Sequence, residues 1–331
     1  MSVLAHQLLH GYADGQRLLA ASIELPADVK RRLLIHSDAL PGPAGGRTLG
    51  SLALPEVGLW ALTATWPAVE MPRPGSVWSH TLLLSRDAVG ELRGAGGLLE
   101  ALRRPRQLGD YQRYRQPQEI ADALARPAPQ SRRLVEAVLL ALYGSPDEPA
   151  AVLAHDLAAA EVALLAAWEQ QWPALRASAS FATRARIEGE SCTHMQVGTA
   201  VPRGRPAIHV LSADQDLNGQ PPTWVKALAS DVFNPGKLRA FLCRYGPGGS
   251  RGAADVVLLA QLHGTLSAAE ASLDAFAPLA DAYPDPSQMA ALKHDCLKRG
   301  GIFTTALERW RLGTAVAFRG AGYPVRSPAF R

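Results

Sequence analysis

The sequence has little cysteine, few aromatic residues and no long apolar run. Its three cysteines, Cys192, Cys243 and Cys296, lie far apart without a Cys-x-x-Cys pair, which argues against a disulfide framework and a cysteine zinc site. No apolar segment approaches the roughly 18 residues that a membrane-spanning helix needs, and the amino terminus lacks a basic and then apolar secretory pattern. We therefore expect a cytoplasmic protein without a membrane span.

Lysine is also scarce, since only five of the 34 basic residues are lysine. The formal net charge is +4, but the arginines are dispersed among acidic residues, whereas a nucleic-acid-binding protein usually gathers them on one face. The densest basic stretch, Arg103 to Arg115, also contains Tyr111 and Tyr114, and we interpret it as a solvated surface. A nucleic-acid partner is not expected.

The 331 residues, 47% of them hydrophobic, are enough for about two domains with their own cores. Asp14-Gly15 between the apolar segments Val3–Tyr12 and Arg17–Leu25 predicts a β-hairpin. Further strands are predicted at Leu59–Thr65, Val77–Leu84, Ala177–Arg186, Ser191–Thr199 and Ala207–Leu211, and helices at Pro26–Ser37, Asp87–Leu92, Leu98–Arg103, Ser131–Gly144 and Pro149–Trp168.

These elements predict an α+β fold, with mixed or antiparallel sheets and packed helices, followed by a smaller all-α region. We expect the α+β domain to span residues 1–245, with a possible internal boundary in the proline-containing stretch 105–130, and the helical domain to span 246–331. Glu188-Gly189-Glu190 is the predicted turn of a second hairpin.

Motifs that would carry catalysis or metal binding are incomplete. Gly42–Thr48 lacks the lysine and the glycine spacing of a P-loop. Gly248–Gly252 matches Gly-x-Ser-x-Gly, but no alternation of strands and helices surrounds it, so we predict an exposed loop with Ser250 remote from Asp281 and His294. His6 and His10 on one strand would lie roughly 13 Å apart, too far to share a metal.

No catalytic, cofactor-binding or metal-binding residue is therefore predicted. The strand pattern instead places His6, Leu8, His10 and Tyr12 on one face, and Trp78, His80 and Leu82 on one face of another strand. A sheet face that carries such side chains is either an interior with satisfied polar groups or a docking surface.

Two sequence blocks resemble a known bacterial family. The first, His6–Ser22, contains His-Gln-Leu-Leu-His-Gly-Tyr-Ala-Asp-Gly and is similar to the opening signature of the type-one amino-terminal domain of GTPase-associated proteins. The second, Ala64–Leu82, resembles the family's tryptophan, Met-Pro-Arg-Pro-Gly and Trp-x-His elements. A weaker block, Trp172–Thr183, is similar to a family stretch that ends in Ser-Phe-x-x-Thr. The helical region would then be a short counterpart of the family's middle region.

The resemblance implies a non-enzymatic adaptor or sensor in a bacterial GTPase-centred conflict or signalling system, such as antiviral defence. It would dock a small GTPase or another effector subunit that is encoded nearby. The candidate partner-binding or signature residues are His6, His10, Tyr12, Asp14, Arg17, Trp66, Arg73, Trp78 and His80. No cofactor is expected, and the sequence does not indicate an oligomeric state.

Two other interpretations of these residues stay open. The chain would be a hydrolase or nuclease if His10, Asp14, Arg17, Arg73 and His80 converged in one cleft, within hydrogen-bond reach of a common substrate atom. Alternatively, the signature is structural. Gly11, Asp14 and Gly15 would then form the turn, Trp66 and Trp78 would pack in the core, and His10 and His80 would satisfy buried polar groups.

Overall fold

A computed structural model describes residues 2–38, 46–121, 125–146, 148–187, 193–201, 209–212, 220–266, 277–285 and 287–297. The chain divides into two compact units, Met1–Pro221 and Pro222–Arg331. The first unit combines a mixed sheet with helices, and the described part of the second unit is helical. This architecture confirms the predicted α+β class.

One mixed sheet of ten strands forms the centre of the first unit. Its strands are β1 (Ser2–Tyr12), β2 (Gln16–Ala21), β3 (Thr48–Leu54), β4 (Leu59–Pro67), β5 (Val77–Ser85), β6 (Gln118–Ala121), β7 (Ala150–Leu153), β8 (Phe181–Arg184), β9 (Met195–Gly198) and β10 (His209–Ser212). Their order is β10-β7-β9-β8-β3-β4-β5-β1-β2, and β6 pairs with the beginning of β1. Pairing is parallel among β8, β9, β7 and β10, and antiparallel elsewhere.

Three of the six described helices of the first unit begin at a side-chain cap. The six helices are α1 (Ala27–Ser37), α2 (Arg86–Glu91), α3 (Gly96–Ala101), α4 (Arg132–Tyr143), α5 (Leu157–Glu169) and α6 (Pro173–Arg176). The Ser131 hydroxyl accepts the Leu134 N–H at the start of α4, and the Asp156 carboxylate accepts two N–H groups at the start of α5. These bonds satisfy backbone donors that the first helical turn leaves unpaired.

The predicted amino-terminal hairpin is confirmed. β1 and β2 pair antiparallel, with Tyr12 opposite Gln16. Asp14 and Gly15 between them have positive φ angles of 56° and 118°. The Asp-Gly pair is suited to this turn because both residues tolerate the left-handed backbone region better than bulkier side chains do.

Several predicted elements were wrong or missed. The helix predicted over Pro149–Trp168 is the strand β7 followed by α5, because an apolar run has the same pattern in a buried strand and in a buried helix. β8 and β9 are parallel, so they do not form the predicted hairpin, whose Glu188-Gly189-Glu190 turn lies outside the described residues. β3 and β6 were not predicted.

Two apolar clusters cover opposite faces of the sheet. On one face, α1 contributes Val29 and Leu33 to a cluster with Leu8 of β1. On the other face, Leu9 packs with Trp78, and we call this second group the Trp78 cluster; its buried members are Leu9, Ala20, Ala68, Met71, Trp78 and Tyr114. The alternation of side chains along a strand sends Leu8 and Leu9 to different faces.

Residues 172–184 complete the sheet beside β3. The Thr183 hydroxyl accepts the Leu49 N–H at 2.7 Å, and the Trp60 indole N–H donates to the Ala179 carbonyl at 3.0 Å. Trp60 also stacks on Trp168 with ring centroids 5.3 Å apart. β3 and β4 are therefore packed against residues that lie far along the chain.

The second unit contains α7 (Thr223–Phe233), α8 (Lys237–Tyr245), α9 (Ala253–Leu266), α10 (Ala277–Ala282) and α11 (Ala290–Leu297). Ser250 is exposed in the turn before α9, as predicted, and its separation from Asp281 and His294 stays a prediction. α7 and α8 pack against α9 within this unit. The domain boundaries near residues 245 and 105–130 stay predictions. None of the described helices is long and apolar enough to cross a lipid bilayer.

Candidate functional site

Each of the two family-like blocks contains a connection that lies at the same end of the sheet. The turn that joins β1 to β2 follows Tyr12, and the loop that joins β4 to β5 spans Ala68–Ser76. β1 and β5 are antiparallel, with His10 opposite Ser79, so the end of β1 lies beside the beginning of β5. We use the name loop-end surface for residues 12–17, for residues 66–78, which include the β4–β5 loop, and for the segment 102–115, which packs beside that loop.

The β4–β5 loop is held by its own hydrogen bonds. The Ala68 N–H donates to the Ser76 carbonyl at 2.8 Å, and the Ser76 N–H and hydroxyl both donate to the Arg73 carbonyl, at 3.2 and 2.8 Å. Gly75 has a φ of +81°, which favours glycine at this turn. The Arg73 backbone is thus fixed while its side chain is exposed.

Trp78 anchors this loop from below. Its side chain is fully buried, and its indole N–H donates to the Glu70 carboxylate at 2.6 Å. A Cβ atom at Gly11 would lie 2.5 Å from the Trp78 ring, so glycine is needed there for close packing. Burial opposes ionisation of Glu70, but its bonds to Trp78 and Arg104 outweigh burial and lower its pKa. The loop therefore rests on a buried ring and an ionised carboxylate.

The imidazole of His80 holds the segment 102–115 on the sheet. His80 is 1% exposed, and its Nδ1 accepts the Arg103 N–H at 3.0 Å. The Nε2–H then donates to the Gln7 side-chain oxygen at 3.0 Å, and the Gln7 amide donates to the carbonyls of Arg113 and Gln116. Burial, followed by the charges of two arginines, lowers the pKa of His80 to about 3. His80 is therefore a neutral positioning residue.

His10 lies on the opposite face of the sheet from His80. His10 stands opposite Ser79 and His80 stands opposite Leu9, and neighbouring residues of a strand point to opposite faces. His10 is 2% exposed, and burial together with nearby His36 lowers its pKa to about 4. The structure therefore separates the two histidines that the hydrolase or nuclease hypothesis needs in one cleft.

His36 and Gln7 are important polar residues that sequence analysis missed. His36 belongs to α1, is 4% exposed, and packs so closely on β3 that a Cβ at Gly50 would lie 2.8 Å from its ring. Burial and the charge of Arg184 lower its pKa to about 4. Gln7 is part of the His-Gln-Leu-Leu-His motif, and its position beside Leu9 on the strand was the available signal for a buried role.

Other signature residues differ in exposure. The side chain of Asp14 is 99% exposed, and its carboxylate lies 3.9 Å from the guanidinium of Arg17, whose side chain is 53% exposed. Trp66 is half-buried and stands opposite Trp78 in the strand register. Tyr12 packs against the Trp78 cluster, on the opposite face of the sheet from Leu8. The prediction that Tyr12 shares one face with His6, Leu8 and His10 was therefore wrong. Asp14 lies in the turn, and Tyr12, Arg17 and Trp66 lie at strand ends beside the turn and the loop.

The remaining signature residue, His6, is half-buried near Ser22, with 3.4 Å between its Nδ1 and the serine hydroxyl. The loop-end surface thus gathers Tyr12, Asp14, Arg17, Trp66 and Arg73, with Trp78 fully buried beneath it, and it leaves His6 and His10 further along β1. Sequence analysis also missed Val69, which is 88% exposed in the β4–β5 loop. Within the described part of the chain, no group of three or more metal-binding side chains is close enough to hold an ion.

Comparison with known proteins gives a match to the part of the chain that holds both sequence blocks. Residues 4–102 match the family described as GTPase-associated protein 1, N-terminal domain type 1. Searches of curated proteins and of solved structures found no match. The matched residues run from β1 through α3 and include both sequence blocks. Over residues 4–102, the chain is therefore similar to the type-one N-terminal domain of GTPase-associated protein 1, as the two sequence blocks indicated.

Proposed function

We propose that this protein is a non-enzymatic adaptor that docks a small GTPase, or another effector subunit, through the loop-end surface. The observation that carries the proposal is the convergence of the two family blocks at one end of the sheet, within the residues that match a GTPase-associated family. The adaptor would serve as a docking or sensing component of a bacterial GTPase-centred conflict or signalling system, such as antiviral defence.

Rigid presentation of the loop supports a docking role. A side chain that is exposed on an already ordered backbone loses less conformational freedom on binding than one on a mobile loop. The hydrogen bonds around Ser76 and the buried anchor Trp78 provide this order, and Arg73 extends from it into solvent. Arginine is among the residues that most often carry binding energy at protein interfaces.

The buried histidines support the adaptor over the enzyme. His10 and His80 lie on opposite sheet faces, and both are neutral near pH 7 because burial lowers their pKa. A shared role as general acid and base would require both to reach one substrate. Their contacts instead favour structural roles, and Arg73 is the stronger candidate for partner contact.

Binding by variants tests the proposal. Purified GTPase from a neighbouring gene is titrated with the wild type, with Arg73→Ala and with Arg31→Ala, whose exposed arginine lies on α1 over the other sheet face. We expect Arg73→Ala to weaken association about tenfold or more, equivalent to about 1.4 kcal/mol, while its melting temperature is unchanged. Unchanged binding by the folded Arg73→Ala variant would reject the docking role of the loop.

A turnover assay distinguishes the enzyme. If a hydrolase or nuclease activity of the wild type were lost in Arg73→Ala while GTPase binding stayed intact, the adaptor proposal would be wrong. His10→Ala is the comparison variant, and we expect it to lower stability, because a buried polar side chain is removed from a packed interior.

A further inference from the structure

The loop-end surface exposes apolar side chains on an ordered backbone. Val69 is 88% exposed although the adjacent Ala68 and Met71 are buried in the Trp78 cluster. Leu108, in the segment beside the loop, is 53% exposed. Exposed aliphatic side chains are common singly, but here one of them projects from a loop that two buried neighbours and several hydrogen bonds hold in place. This arrangement fits an apolar contact with a partner.

Arginine dominates the charge around these apolar side chains. The loop-end surface contains seven arginines and three carboxylates, those of Asp14, Glu70 and Asp110. Each carboxylate already faces an arginine of the same surface: Asp14 faces Arg17, Glu70 faces Arg104 and Asp110 faces Arg113. The surface therefore has an excess of positive charge.

Four arginines account for that excess. These arginines are Arg73, Arg103, Arg106 and Arg115. All four are exposed, and none forms an ion pair with any other residue that the structure describes. An exposed guanidinium can form two parallel hydrogen bonds with a carboxylate, so such groups favour an acidic partner surface. Complementary charge also accelerates encounter and suppresses binding of partners with like charge.

We infer that the loop-end surface recognises an acidic protein surface with an apolar recess that accepts Val69, an inference that rests on the docking function proposed above. The carboxylates of the partner pair with Arg73 and the other exposed arginines, and the recess covers the valine. Recognition by this surface is consequently sensitive to ionic strength.

The aromatic side chains favour a protein over a nucleic acid as the occupant. Binding of single strands relies on exposed rings on which bases stack. Trp78 and Tyr114 are fully buried, and Tyr111 is half-buried with its ring packed on Trp78 at 6.0 Å between centroids. The exposed large hydrophobic side chains of this surface are instead the aliphatic Val69 and Leu108, which cannot stack on a base.

The test measures association of the purified neighbouring-gene GTPase at low and high sodium chloride. Charge reversal by Arg73→Glu removes one attraction and adds a repulsion, and Val69→Asp places a carboxylate in the apolar contact. Arg31→Glu is the matched control, since it makes the same charge change on α1. Melting temperatures establish that each variant is folded.

We expect wild-type affinity to fall about tenfold or more when salt rises from about 0.05 to 0.5 M, because the Debye length shortens several-fold over this range. Arg73→Glu and Val69→Asp should each weaken binding at least about tenfold at low salt, and Arg31→Glu should bind like the wild type. If Arg73→Glu loses less affinity at high salt than at low salt, the interaction that it removes is electrostatic.

The outcomes separate this inference from the proposed function. Binding of the GTPase that Arg73→Ala weakens, but that salt and Val69→Asp leave unchanged, would overturn the inference and leave the proposed docking through the loop-end surface standing. Binding that is insensitive to Arg73→Glu as well would overturn both. No association of the wild type with the GTPase at either salt concentration would overturn both. Binding of a single-stranded oligonucleotide that Arg73→Glu abolishes would replace the acidic protein surface by a nucleic acid.

Discussion

Mild acid should destabilise the first unit because three of its buried histidines cannot accept a proton without disruption. Burial lowers the pKa of His10 and His36 to about 4 and that of His80 to about 3. An unfolded histidine has a pKa near 6.5. Below pH 6.5 the unfolded chain therefore binds protons that the folded chain does not, and stability falls as the pH falls.

The magnitude follows from proton linkage. Each histidine contributes a loss of about 1.4 kcal/mol per pH unit between its unfolded and folded pKa values. From pH 7.5 to 5, this amounts to about 2 kcal/mol for one histidine and about 6 kcal/mol for all three. Such a loss is a large share of the roughly 5–15 kcal/mol that stabilises a typical domain. The loss of stability is absent above about pH 7.5 and is complete below the folded pKa values of the histidines.

Urea unfolding followed by tryptophan fluorescence at several pH values between 7.5 and 5 measures this effect. We expect the slope of the unfolding free energy near pH 5.5 to correspond to uptake of nearly three protons. In His10→Gln the uptake should fall by one proton, whatever the absolute stability of the variant. A wild-type slope of one proton or less, or an unchanged slope in a folded His10→Gln variant, would refute the reasoning.

Three further perturbations test the packing. Gly11→Ala should lower the free energy of unfolding by about 1–3 kcal/mol, since its Cβ would overlap Trp78, and a thermal melt measures this loss. His80→Ala should cost about 2 kcal/mol or more because it leaves the Gln7 side-chain oxygen and the Arg103 N–H without their imidazole partner; urea unfolding, with His6→Ala as a comparison expected to lose less stability, tests it. A chain that ends at residue 102 should lack a cooperative melt, since β3 loses β8; a sharp transition would contradict this.

Local signals were sufficient for the elements whose geometry is set by neighbouring residues. Asp14-Gly15 predicted the first hairpin because the positive φ angles of that turn select those residue types. Ser131 marked the beginning of α4 because its hydroxyl caps the helix. The face assignments of Trp78 and His80 also follow from strand alternation alone.

Long-range pairing was not predictable in the same way. β8 and β9 are parallel neighbours, although a local turn between them was the expectation, because strand direction depends on the whole sheet. The bond between His80 and Gln7 joins residues 73 positions apart, and no local pattern encodes it. The exposure of Val69 likewise depends on which of its neighbours are buried. The local sequence Ala-Val-Glu-Met does not determine which of these side chains point into the core.

The location of the docking surface can be measured directly by hydrogen exchange. Amide exchange of the full chain is compared with and without saturating GTPase from the neighbouring gene. We predict slower exchange at residues 12–17, 68–76 and 102–115, and unchanged exchange in α1, which covers the other face of the sheet. Protection confined to α1 or to the second unit, with the loop 68–76 exchanging as in the free protein, would contradict the assignment of the loop-end surface as the docking site.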